Sequence, residues 1–282
     1  MKFFGYVLII LILATFVLGA ISFFKKNDLP PKELLLDDLA KEPVQTKVDL
    51  FEESFELEKD GFIYKIIPRY RYEIYGLSVA EYNAETWSDL FHEKDPLNVK
   101  DICLIWGYNA LSGAYENIKF RHGEFTCFWS PEKEEIGLNN EEISNNHLLP
   151  ATDNVYKKIK KAETGDQVYI KGYLVNYQVK GPDTDLYRTT SSIREDFGDG
   201  ACEIIYVTDF KIIAPGNPVF NFLYLVTKNL LFVLLGIYFF FAFLDFAMKP
   251  LIKKKEIVPD LDYDPANQQS YPAAFNPPDE KK

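Results

Sequence analysis

Two polar clusters carry the residue types that chemistry needs. The first is Ser144-Asn145-Asn146-His147-Leu148-Leu149-Pro150. A histidine held between amides can serve as a general base or bind a ligand, because its ordinary pKa lies near neutrality. The same string also suits a loop whose asparagines satisfy backbone groups through Asx turns. The second cluster is Arg188-Thr189-Thr190-Ser191-Ser192-Ile193-Arg194-Glu195-Asp196, which leads through Gly198 and Gly200 to Cys202-Glu203. Two arginines and a run of hydroxyls can cradle an anionic group. The alternative is a solvated hairpin in which Arg194 pairs with a nearby carboxylate. The residues singled out for binding are therefore Asn145, Asn146, His147, Arg188, Ser191, Ser192 and Arg194.

A catalytic reading would join Cys127 or Ser191 as nucleophile to His147 as base, with a third group to orient the base. The sequence has no nucleophile elbow, no paired-histidine zinc motif and no phosphate loop. His92 and His122 stand alone, and no two of the three cysteines are closely spaced. No catalytic residue, metal site or cofactor is assigned on this basis. The net charge of −11 and the absence of a basic face argue against a nucleic-acid partner.

These clusters need elements to position them. Phe (23) and Tyr (18) are abundant, and with many Ile and Val they point to a β-rich core. Strands are predicted at about 51–57, 62–67, 70–80, 99–106, 125–129, 167–179 and 201–213, with a break at Pro68-Arg69. A short helical spacing occurs at 84–91, broken by Asp95-Pro96. Residues 131–146 read as a long polar loop. Residues 152–162 read as a helix capped by Thr152 or Asp153. The segment 33–41 has Leu35, Leu36 and Leu39 on one helical face. In Gly165-Asp166-Gln167-Val168-Tyr169-Ile170-Lys171-Gly172-Tyr173, a turn leads into an alternating strand with an internal glycine. Such a glycine lets a strand coil around a barrel corner, and Gly76 and Gly107 fall in comparable places. The fold class expected is mainly β (α+β), an OB-like small barrel flanked by one transmembrane helix at each end.

Cys103, Cys127 and Cys202 all lie between the two apolar ends. One disulfide plus one spare thiol is the expected arithmetic outside the cytoplasm. Cys103 sits in the apolar run Ile102-Cys103-Leu104-Ile105-Trp106, which suits a buried, inert thiol. Cys127 and Cys202 border polar sequence, so they are the predicted pair. Over residues 60–213 the chain resembles an uncharacterised family of bacterial membrane-anchored proteins. The resemblance rests on Tyr-x-Ile-x-Gly-Leu from Tyr72, Ile-Trp-Gly from Ile105, Ser-Asn-Asn-His-Leu from Ser144, Gly-Asp-x-Val-x-x-x-Gly-Tyr-Leu-Val from Gly165, Thr-Ser-Ser-x-Arg-x-Asp-x-Gly from Thr190 and Gly-Ala-Cys-Glu from Gly200. It implies an envelope location, brings no activity with it, and makes the His147 and Arg194 stretches family features.

Two apolar stretches, 3–24 and 222–246, reach the roughly 20 residues that cross a bilayer as a helix. The first is expected to be an uncleaved signal anchor. In the second, Lys228 and Asp245 are the ionised residues. They lie about 26 Å apart along a helix, so each suits an interface anchor. Lys249, Lys253, Lys254 and Lys255 place the C-terminal flank in the cytoplasm. The predicted organisation is an anchor at 1–26, a connector at 27–47, an extracytoplasmic domain at 48–216, a second span at 219–248, and a basic flank with a Pro-rich disordered tail at 249–282. The setting expected is a bacterial inner membrane with both termini cytoplasmic. The partners expected are the lipid bilayer and other membrane or envelope proteins. The function expected is a binding or scaffold domain serving as an accessory subunit. The alternatives are a ligand-binding or hydrolytic envelope enzyme using the His147 and Ser191–Arg194 region, and a two-span sensor.

Overall fold

A computed structural model describes residues 2–48, 54–86, 94–132, 137–193 and 201–255. It is mixed α+β, with one large sheet and an apolar helix at each end of the chain. Helix α1 spans Lys2–Lys25 and helix α4 spans Pro218–Lys255. Within them, Gly5–Lys25 and Pro218–Met248 are long and apolar enough to cross a membrane. The chain divides into two compact units. One unit joins Met1–Ile12 with Phe232–Lys282. In it Leu8 and Leu234 are buried, while Ile10, Phe239 and Phe243 are exposed. The other, Leu13–Leu231, holds the sheet and the clusters described above. Lys228 is exposed on α4 in this second unit, and Asp245 is half-buried on α4 in the first.

The main sheet contains eight strands: β1 (Val44–Lys47), β2 (Phe55–Lys59), β3 (Phe62–Tyr82), β4 (Lys100–Ile105), β7 (Ile143–Pro150), β8 (Gln167–Gly181), β9 (Thr184–Arg188) and β10 (Glu203–Ala214). A separate hairpin joins β5 (Ile118–His122) to β6 (Cys127–Pro131). Hydrogen-bonded pairing runs from β3 to β4, β7, β10 and β8, and β8 pairs again with β3. The β7–β10 pair is parallel and the others are antiparallel. Pro68-Arg69 does not break β3; the strand runs through with a register shift between Pro68 and Tyr70. A bulge there accommodates a residue with no N–H to donate. β4 is buried along its whole length, which explains its near-continuous apolar run.

Helix α2 (Gly107–Leu111) follows β4, starting at a glycine with φ of +55°. Gly107 thus opens a turn into a helix and does not coil a strand. Helix α3 (Asp153–Ile159) lies between β7 and β8, and Thr152 caps it by accepting from Val155 N at 3.3 Å. Its Val155 and Ile159 join the main core with Leu148, Val207 and Phe210. Gly172 lies where β8 crosses β10; a Cβ there would sit 2.1 Å from Tyr206 O. Only glycine permits that approach.

The connector departs from its predicted helix. Residues Lys32–Leu34 and Asp37–Ala40 form two separate 3₁₀ turns. Gln167 reaches both sides of the gap, accepting from Leu36 N (2.7 Å) and donating to Leu34 O (2.9 Å). Tyr115 donates to Pro30 O at 2.6 Å, and Leu39 is fully buried. Bonding to the domain fixes this segment more strongly than its own short amphipathic pattern does.

The predicted Cys127–Cys202 disulfide is not formed. Cys127 pairs with Cys103, with Cα atoms 5.9 Å apart, and Cys202 is a free thiol. Cys103 on β4 faces the hairpin that carries Cys127, so the pair falls within bridging range. The apolar surroundings of Cys103, read as the mark of an inert thiol, are those of a buried disulfide.

Two outcomes follow from this architecture. Alkylation in denaturant without reductant should label one cysteine per chain, mapped by peptide mass to Cys202; replacing both Cys103 and Cys127 with alanine should cost about 3 kcal/mol of stability. Gly172→Ala should lower unfolding stability by about 3 kcal/mol or more, measured by denaturant midpoint, because the contact is with backbone that cannot move aside.

Candidate functional site

The stretch predicted as a loop ending at Asn146 is in fact the start of β7, and the strand separates its neighbours. Alternation sends Asn145 and His147 to one face and Ser144, Asn146 and Leu148 to the other. Asn146 turns away from His147 and donates from Nδ2 to Ile102 O (3.1 Å) and to Ser144 Oγ (2.9 Å). Antiparallel register sets Asp101 of β4 opposite His147, and Cys103 opposite Asn145. His147 Nδ1 lies 2.8 Å from Asp101 Oδ1, and both side chains are almost completely buried. Asn98 Nδ2 donates to the same carboxylate oxygen at 3.0 Å.

Arg188, at the end of β9, arrives from the other side of the ring. Its Nη2 stands 3.4 Å from His147 Nε2, and its Nη1 donates to Asp95 Oδ2 at 3.5 Å. Asp95 also accepts from Tyr64 OH at 3.2 Å and from Tyr177 OH. Burial first, and the Asp95 carboxylate second, push both phenols well above their ordinary pKa, so they stay protonated donors. His147, Asp95 and Asp101 are buried and the half-buried Arg188 links them, so the four form one continuous chain of charge. The β5–β6 hairpin covers it. His122 Nε2 lies 2.6 Å from Asn145 Oδ1, and Asn145 Nδ2 donates to Phe125 O at 3.0 Å. The Cys103–Cys127 bond fastens the hairpin to β4 beneath.

Two of the hydroxyls in the run bond to nearby backbone. Thr190 Oγ1 accepts from Ile204 N (3.0 Å) and donates to Ser191 O (2.9 Å). Ser191 is buried, and its Oγ donates to Ile193 O at 3.0 Å. Ser191 N bonds Cys202 O at 2.9 Å. Ser192 is exposed, and its carbonyl accepts from Gln45 Nε2 at 3.0 Å. These residues sew the segment after β9 along β10. Arg194 lies outside the described residues. A cleft of about 560 Å³ beside Tyr156 and Tyr206 includes none of the predicted residues.

Sequence reading missed Asp95, Asn98 and Asp101, which anchor the cluster, and the place of Cys202. The Cys202 Sγ accepts from Asn145 Nδ2 at 3.5 Å and donates to Phe125 O at 3.6 Å. One signal was available for Asp101: a carboxylate inside the most apolar strand requires a buried cationic partner.

The electrostatics follow from this geometry. Burial is the largest influence on His147 and works to lower its pKa. The charge and hydrogen bond of Asp101, then the Cys202 contact, outweigh it and raise the value from 6.5 to about 9, with Arg188 opposing. Burial likewise works to raise Asp101, but the charge and hydrogen bond of His147, aided by His122 and Asn98, hold it below its ordinary value. At neutral pH the pair is imidazolium and carboxylate.

Comparison of the chain with protein-family models, with curated proteins and with solved structures finds no match.

A raised histidine stabilises the fold fully below its unfolded pKa of 6.5, and that contribution fades as pH rises toward 9. The lowered Asp101 works in the opposite sense: its contribution is present above 3.8 and lost below it. Unfolding stability should therefore decline by about 3 kcal/mol between pH 6.5 and 9.5. Asp101→Asn should flatten this decline, as followed by denaturant titration at each pH.

Proposed function

We propose that the protein is a two-span envelope protein whose central domain is a hydrolytic enzyme acting at the His147–Arg188 cluster. In this reading α1 and α4 cross a bacterial inner membrane, both termini are cytoplasmic, and the domain lies outside the cytoplasm. The lysines that follow the second span support that orientation. The Cys103–Cys127 bond supports an oxidising compartment. The domain reads as OB-like. Its five-strand pairing cycle, the helix between β7 and β8, the parallel β7–β10 pair and the coil at Gly172 are the features in favour.

One observation carries the enzymatic reading. His147 and Arg188, 41 residues apart, meet at 3.4 Å and share a buried network with Asp95 and Asp101. Desolvating four ionisable groups costs several kcal/mol each before pairing. A domain with no use for them would be at least as stable with apolar residues in their place. Such clusters of perturbed groups concentrate at working sites. His147, protonated at neutral pH, is positioned as proton donor, Asp101 orients it, and Arg188 brings further positive charge to its Nε2 side.

The accessory-scaffold reading rests on a different observation. Phe125 and Phe128 on and beside the hairpin, and Leu186, Tyr187 and Ile193 around the end of β9, are exposed. Apolar side chains of this kind could seat a protein partner.

Full-length protein in mild detergent, tested against a panel of chromogenic esters and amides, separates the two. Turnover that falls about 100-fold in Arg188→Gln, with an unchanged circular dichroism spectrum, is the expected outcome. No turnover, together with a stoichiometric co-migrating protein identified by mass spectrometry, would favour the scaffold.

A further inference from the structure

The cleft beside Tyr156 and Tyr206 lies outside the His147–Arg188 cluster. Its volume, about 560 Å³, is in the range that holds a small organic ligand. Three parts of the fold wall it. The β2–β3 hairpin closes with Lys59 paired to Phe62 across Asp60-Gly61. Both turn residues have positive φ, +52° and +81°, as the tightest hairpin loops require. That turn sets Glu58, Lys59 and Asp60 along one side of the cleft. The end of β7 supplies Pro150, and α3 supplies Asp153 and Tyr156. Tyr206 enters from β10, where its ring meets Phe55 edge-to-face at 5.1 Å. Leu57 and Leu97 contribute apolar surface. Leu97 is held in place by its N–H, which donates to Tyr64 OH at 3.1 Å.

The charge on these walls is one-sided. Glu58, Asp60, Glu85 and Asp153 line the cleft against the ammonium of Lys59. Glu85 is already engaged, by Lys160 at 2.9 Å and by Tyr156 OH at 2.8 Å. Glu58, Asp60 and Asp153 are exposed to whatever enters. One cation is seated there in the chain itself. Lys59 Nζ lies 5.5 Å from the centroid of the Tyr156 ring, and the negative face of such a ring attracts an ammonium. The cleft therefore combines a ring that holds a cation, carboxylates that favour one, and apolar side chains that would cover a carbon skeleton.

We propose that this cleft binds an organic cation: an ammonium group carried on an apolar body of small-molecule size. The ammonium meets the Tyr156 face and the carboxylates of Glu58 and Asp153. The apolar body lies against Leu57, Leu97 and Tyr206. Lys59 is the chain's own occupant of the cation position, and the ligand displaces it. An anion would face the carboxylates, and a bare metal ion would leave the apolar surface uncovered. The site is separate from the His147–Arg188 cluster and does not rest on the hydrolytic reading.

The test is a calorimetric titration of the full-length protein in nonionic detergent, with the heat from detergent alone subtracted. The probe is phenethylammonium. Its controls are 3-phenylpropionate, which carries the ring on an anion, and methylammonium, which lacks the ring. Phenethylammonium should bind at one site per chain, about tenfold or more tighter than either control. Glu58→Gln combined with Asp153→Asn should weaken it about tenfold. Lys59→Met should tighten it about threefold, because the Tyr156 face is then free. Equal affinity for 3-phenylpropionate would reduce the binding to apolar adsorption, and equal affinity for methylammonium to surface charge; either overturns the proposal. So does an absence of binding up to about 10 mM phenethylammonium, or an affinity that neither substitution changes. The comparison of the three probes on wild type is decisive even if a variant fails to fold.

Discussion

The His147–Asp101 contact is the constraint around which this domain is arranged. Two ionised groups lie between adjacent strands with almost no solvent, where the loss of either would leave the other uncompensated at a cost of about 3–5 kcal/mol. Register must then be held strictly. A slip of one residue between β4 and β7 would move Asp101 to the far face and bury both charges alone. The flanking pairs guard against that slip. Cys103 meets Asn145 one step away on the same face, and Ile102, Leu104 and Leu148 fill the core on the other.

A covered charge pair also needs a cover that stays in place. The β5–β6 hairpin is a two-stranded unit outside the main sheet, and such a unit has little stability of its own. The Cys103–Cys127 bond and the His122–Asn145 contact hold it against β4 and β7. On the opposite side, the long pairing of β3 with β8 carries β9, and hence Arg188, toward the cluster. Gly172 allows the close crossing of β8 and β10 on which this depends. The site is thus assembled by long-range pairing, with no contribution from a local motif.

This explains which parts were legible in the sequence. The two apolar helices, the buried strand at 99–106, the capped helix after Pro150 and the long strand from Gln167 were all visible from periodicity and end signals. His147 and Arg188 stood out because histidine and a run of hydroxyls beside arginine are unusual compositions. Thr190 and Ser191 turn their hydroxyls to nearby backbone, which composition cannot distinguish from ligand binding. The polar string at Ser144 also reads as a loop because Asx turns can satisfy its neighbouring backbone; in the strand its amides bond across to Ile102 and to the hairpin. Asp95 reads in the sequence only as half of a breaking Asp-Pro pair. Its two tyrosine partners, Tyr64 and Tyr177, lie 31 and 82 residues away in sequence, which no local pattern can connect.

The cysteines illustrate the same limit and its consequence. The polarity of the neighbouring sequence points to Cys127 and Cys202, whereas pairing is decided by which strands face each other. With Cys103 joined to Cys127, no partner for Cys202 remains within the chain, so in an oxidising compartment its thiol can pair only with another molecule. The disulfide therefore anchors the hairpin that shields the charge pair, and Cys202 is the cysteine it leaves outside.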